Sequence, residues 1–107
     1  METKVSFKAK GYVLGNYWGG GQGAYPTITI NADTEDEVIQ KANDSLDNGS
    51  LDSGMGYESL IGAILDITKI TIIVVDGKEF VNKEFSMTTI GELNDVQYEY
   101  LENCLLY

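Results

Sequence analysis

Eight of the nine residues from Ile67 to Val75 are β-branched, and the run ends at Asp76-Gly77. Such side chains lose rotamer freedom in a helix and pack well on a pleated surface. The stretch therefore reads as a long strand, starting near Leu65 and buried on much of both faces, at the centre of a sheet. Asp-Gly favours the type I′ turn that joins two antiparallel strands. Phe80, Val81, Phe85 and Met87 then belong to the returning partner strand.

A second hairpin is expected at the N-terminal end. Val5, Phe7, Ala9, Gly11 and Val13 alternate with Ser6, Lys8, Lys10 and Tyr12, the period-two pattern of a half-buried strand over about Lys4 to Leu14. Thr27 to Ala32 repeats the alternation, with Pro26 opening that strand or lying at a sheet edge. Between them, Tyr12 to Pro26 holds the only tryptophan, the only proline and five of the twelve glycines. Glycine is costly wherever it is ordered, so Gly19-Gly20-Gly21 beside large aromatics marks a loop shaped for contact at the hairpin tip.

Two helices complete the pattern. Thr34 and Glu37 form a capping box, and Val38, Ile39, Ala42 and Leu46 make one apolar stripe over Glu35 to Asp47, with Gly49 as the stop. Ser59 to Ala63 fits a short helical turn. Near the C-terminal end, Asn94 and Gln97 can cap a helix reciprocally, Leu93 and Tyr98 can staple its start, and Leu101, Cys104 and Leu105 supply its buried stripe. The predicted order is ββαββα: an α+β fold whose four-stranded antiparallel sheet carries both helices on one face. The other face would expose Lys8, Lys10 and Tyr12, with Thr27 and Thr29 opposite them. All 107 residues fit one domain with one core.

Composition removes many function classes. There is no histidine, the commonest general base and metal ligand, and no arginine, the usual bidentate clamp on phosphate. Seven lysines against seventeen carboxylates give a net charge of −10, unsuited to binding nucleic acid directly. Residues 1–32 carry +2, residues 33–66 carry −8 and residues 67–107 carry −4. Such acidity also serves solubility alone. No apolar run approaches the length of a membrane span, and no secretory signal opens the chain, so a cytoplasmic location is expected. Cys104, the sole cysteine, reads as a buried, reduced thiol.

Several tempting motifs fail on context. Gly19 to Ala24 fits G-x-G-x-x-A, but a dinucleotide fingerprint needs a helix after it, and here a strand is expected. The near-repeat Ser45 to Gly54 resembles a calcium loop, yet leucines occupy ligand positions. Asp52 and Glu58 read as solvated surface rather than an acid-base pair. No metal, no cofactor and no catalytic set is expected. Two groups remain as candidate sites. Glu35, Asp36, Asp44, Asp47 and Asp52 form an anionic face. Tyr17, Trp18, Gly20, Gly21 and Tyr25, with Met55 and Tyr57 from a second glycine-flanked segment, form a loop surface. The loop aromatics would either cover one end of the core or be presented to a partner.

A short, strongly acidic, histidine-free α+β chain of this layout resembles the small phage and mobile-element proteins that inhibit host defence, of the anti-CRISPR and anti-restriction kinds. The resemblance rests on size, charge and layout. It implies a non-enzymatic inhibitor whose carboxylates stand where a nucleic-acid-handling protein expects phosphates, in the host cytoplasm. Two alternatives stand beside it: a small-ligand-binding or sequestering protein that uses the glycine and aromatic loops, and a homo-oligomeric structural domain, including a homodimer, that uses the open sheet face or hairpin.

Overall fold

The structure, a computed structural model, describes residues 2–52 and 57–106. Its elements are β1 (Glu2–Asn16), β2 (Gln22–Pro26), β3 (Ile30–Ala32), α1 (Glu35–Asp47), a 3-10 turn (Ser50–Asp52), β4 (Ser59–Val75), β5 (Lys78–Gly91) and α2 (Asp95–Leu106). The class is α+β, as the patterning predicts, and the sheet is antiparallel in the order β2-β1-β4-β5, with β3 sharing the flank of β1 with β2.

The β-branched strand is central, as its composition requires. β4 pairs with β1 from Glu2↔Val74 to Asn16↔Ser59, and with β5 from Val75↔Lys78 to Gly62↔Gly91. At about 3.3 Å per residue its seventeen residues set the 59 Å length of the molecule. Asp76 and Gly77 turn the chain with φ of 51° and 77°, the left-handed pair that a type I′ hairpin needs. The helical turn expected over Ser59 to Ala63 is instead the start of β4. β1 extends to Asn16 and templates it, and the Asn16 side-chain amide donates to Ser59 Oγ at 2.9 Å.

The sheet has five strands rather than four because the expected strand over Thr27 to Ala32 breaks. The chain returns along β1 from Gln22, earlier than alternation indicated, and Pro26 closes β2 at the sheet edge. The register then slips by one residue, from Tyr12↔Pro26 to Ala9↔Ile30. Thr27 occupies the slip: its N–H donates to the Gly11 carbonyl at 2.9 Å and its Oγ1 accepts from the Gly11 N–H at 2.8 Å. Thr27 is thus buried rather than displayed on an open face. A side chain at Gly11 would collide with the Ile64 carbonyl, so only glycine fits there.

Both helix caps form. Thr34 Oγ1 accepts from the Glu37 N–H at 3.2 Å, while the Glu37 carboxylate reaches back to the Asp33 N–H. Asn94 and Gln97 exchange backbone-to-side-chain bonds at 2.8 and 3.0 Å. The helices lie on opposite faces of the sheet, which corrects the one-face expectation. Val38 and Ala42 of α1 pack with Ala9, Val13, Ala63, Leu65 and Ile67, whereas Leu101 of α2 packs with Leu14 and Ile64. Consecutive strand residues point to opposite sides, so Ile64 and Leu65 can both be dry only if both sides are covered. Tyr12 accordingly sits half-buried beside Leu14 rather than on an open face. Cys104 is a free thiol, half-buried rather than fully buried.

Beyond these two clusters the sheet runs on uncovered. None of residues 2–8, 68–75 or 78–89 is buried. The far ends of β1, β4 and β5 therefore form a three-stranded arm with both faces open, roughly 25 Å long at the strand rise per residue.

Candidate functional site

The anionic face is carried by α1. Glu35, Asp36, Asp44 and Asp47 are all exposed, and Asp36, Gln40, Asn43, Asp44 and Asp47 follow helical spacing along one side. Asp52 ends the 3-10 turn that follows. The acids differ in what they do for the helix. Glu35, Asp36 and Glu37 occupy the first turn, where the helix dipole favours negative charge, and Glu37 also completes the cap. Asp44 and Asp47 lie towards the other end, where the dipole opposes them, and the last turn has no basic residue. Lys41, the lysine of α1, is directed elsewhere: its Nζ donates to the Asn31 carbonyl at 2.9 Å. Among the described residues the one ion pair is Lys69–Glu84 at 3.7 Å, on the arm.

The glycine loop divides into a packed part and a displayed part. Tyr17, Tyr25 and Tyr57 form an aromatic trio with ring centroids 5.4 to 6.4 Å apart. The Tyr57 hydroxyl donates to the Gly23 carbonyl at 2.9 Å. Gly15 and Gly23 leave room for the rings of Tyr57 and Tyr17, which a side chain at either position would strike. The hydrogen bond between Tyr17 and Tyr25, then burial, raise the Tyr17 phenol above its ordinary pKa. The trio closes one end of the α1-side core, with Tyr57 buried and Tyr17 and Tyr25 partly so. Only Trp18 is displayed, 73% exposed on the tip turn that Gly20 N–H→Tyr17 O and Tyr17 N–H→Gly21 O close. Gly19, Gly20 and Gly21 have φ between 88° and 100°, a path other residues avoid. Gly20 and Gly21 thus shape the turn. Met55 lies outside the described residues.

Asp47 and Trp18 belong to the same end of the sheet. Asp47, Glu58, Ser59 and Glu92 line an open cleft of about 770 Å³, and Ser59 pairs with Asn16 beside the hairpin tip. Among the described residues no three acidic or cysteine side chains converge as metal ligands would. No helix among them is long and apolar enough to cross a membrane.

A third surface needs the sheet register to be seen. Lys4, Lys8 and Lys10 of β1 point to the α2 side of the sheet, and Lys83 of β5 joins them through Ser6↔Ile70↔Lys83. Four of the seven lysines therefore share one open face with Ile72, Val81, Phe85 and Met87. The alternation in β1 places the first three on a common face. Only the pairing of β4 with β5 could add the fourth.

No family model, no curated protein and no solved structure matches this chain.

Proposed function

We propose that this protein acts by binding rather than by catalysis, presenting the anionic face of α1 to a basic surface of a nucleic-acid-handling protein, as an inhibitor of host defence would. The observation that carries this reading is the placement of Asp44 and Asp47. They are exposed, oppose the helix dipole and have no basic residue in the last turn to offset them, so folding gives no account of them. Attraction between carboxylates and a basic groove needs no base readout and acts at long range. Asp36 extends the same face, and Glu35 adds charge at the start of the helix.

The supporting role of the hairpin tip narrows to Trp18. Tryptophan is among the commonest residues at binding hot spots, and Trp18 is the one loop aromatic left free of the tyrosine trio. It would supply an apolar anchor at the same end of the sheet as Asp47.

The test is capture of partners from a host lysate at low salt, followed by elution with rising salt. A nucleic-acid enzyme should leave at moderate salt. D44K/D47K should weaken its binding by at least about tenfold, or about 1.4 kcal/mol, while leaving the fold intact. Because both reversals relieve the helix dipole, the variant should be as stable as the parent or more so. An empty eluate, or binding indifferent both to salt and to the reversals, would remove the proposal.

A further inference from the structure

We infer that β5 is a self-complementary edge through which two copies of this chain pair, antiparallel, about a two-fold axis at Val81. The two edges of the sheet are finished differently. On the β2 and β3 side the chain is short, broken by the slip at Thr27 and ended by Pro26, which lacks the N–H to extend a ladder. On the other side β5 runs fourteen residues without a bulge against β4 and carries no proline. Among the described residues no strand pairs with its outer side. From Lys78 to Met87 it is exposed throughout, with Phe80 and Val81 at 57% and 56%.

Such edges are ordinarily protected by charge, often lysine, so that a second copy is repelled. The segment Lys78-Glu79-Phe80-Val81-Asn82-Lys83-Glu84 has the opposite property. A two-fold axis perpendicular to the sheet brings residues of equal parity face to face on the same side. Centred on Val81, it sets Lys78 opposite Glu84 and Glu79 opposite Lys83, twice each, with Phe80 against Asn82 and Val81 against its own copy. No neighbouring register does this: an axis at Glu79, Lys83 or Glu84 sets like charges together, and axes at Phe80, Asn82 or Phe85 leave the charges without opposites. Opposed charges directly across a ladder stabilise it and like charges destabilise it. Glu84 would then lie between Lys69 of its own chain, already 3.7 Å away, and Lys78 of the second copy.

The open α2-side face carries mixed charge and selects no such self-pairing. Glu2, Asp66 and Glu79 share it with Lys4, Lys8, Lys10 and Lys83. Edge pairing makes one continuous sheet with that face of each copy on the same side, because the axis is perpendicular to the sheet.

Sedimentation equilibrium from micromolar to millimolar protein should show the 11.8 kDa chain approaching twice its mass, less so at high salt. E79K/E84K, all basic along the edge, and K78E/K83E, all acidic, should each stay monomeric. An equimolar mixture of the two should regain the doubled mass as a heterodimer. A monomeric wild-type chain at millimolar concentration would overturn the proposal, as would a dimer that both variants retain. Cross-linking gives a readout independent of the charge variants: in a C104S background, V81C should form an intermolecular disulfide under mild oxidation and E79C should not. Equal cross-linking at both positions would also refute the register.

Discussion

The two ends of this molecule use similar strands for opposite purposes. At one end β1, β4 and β5 are clamped between α1 and α2, with Val13, Leu14, Ile64, Leu65 and Leu101 at most 2% exposed. At the other end the same three strands continue into solvent, and Phe80, Val81, Phe85 and Met87 are half-exposed or more. Backbone pairing is as regular in the arm as in the clamped half. What differs is the layer above and below. A β-sheet thus keeps its ladder well past its hydrophobic core, and the side chains beyond the core are released from packing. The released positions carry Lys4, Lys8, Lys83 and the alternating charges of β5, whereas the clamped positions are almost wholly apolar.

Truncation along β4 and β5 puts that contrast to its hardest test. Leu65→Ala should cost about 2 to 5 kcal/mol by denaturant unfolding, because the site is fully enclosed, whereas Phe85→Ala should stay within about 0.5 kcal/mol. Equal costs would erase the distinction. Leu101→Ala belongs with the large effects, since it empties the second cluster from the α2 side. A small loss there would mean that α2 does not close that face. Thr27→Val should cost about 1 to 3 kcal/mol, because it leaves the buried Gly11 N–H without its side-chain acceptor. Thr34→Ala, at the cap of α1, should cost about 1 kcal/mol on the same measurement.

The smallest effects sit at the hairpin tip. Trp18→Ala should change stability by less than about 0.5 kcal/mol, and Trp18 emission should be that of an indole in water. Its neighbour Tyr17 behaves differently with pH. Its folded pKa lies above the unfolded value of 10.0, so the neutral phenol is the form the fold favours. That contribution is complete below pH 10 and is lost as pH rises through the folded value. Tyr17→Phe should therefore flatten part of the alkaline fall in stability, read from unfolding curves on either side of pH 10.

Much of this fold was legible locally. The period-two run of β1, Asp76-Gly77, the Thr34 and Asn94 caps and the span of α1 are contained in short windows, and each formed as its chemistry dictates. What escaped depends on partners far along the chain. The slip at Thr27 is held by hydrogen bonds to Gly11, which in turn abuts Ile64 across more than fifty residues. The assignment of helices to faces follows from which of Ile64 and Leu65 each one covers, although the unbroken apolar run did carry the hint that both faces are dry. The candidate site divides the same way. The exposure of Asp36, Asp44 and Asp47 follows from helical spacing alone, and that of Glu35 from its place at the helix start. The fate of Tyr17, Tyr25 and Tyr57 was decided by a trio assembled from three segments, which sequence spacing does not reveal.

Hydrogen exchange, followed by mass spectrometry at two protein concentrations, tests the division into a packed half and an interacting arm most directly. Amides of β1 and β4 between the helices should exchange only with global unfolding, at a rate independent of concentration. Those of Lys78 to Glu84 should exchange quickly in dilute solution and slow as concentration rises. Uniform protection along β5, unchanged by dilution, would contradict the account.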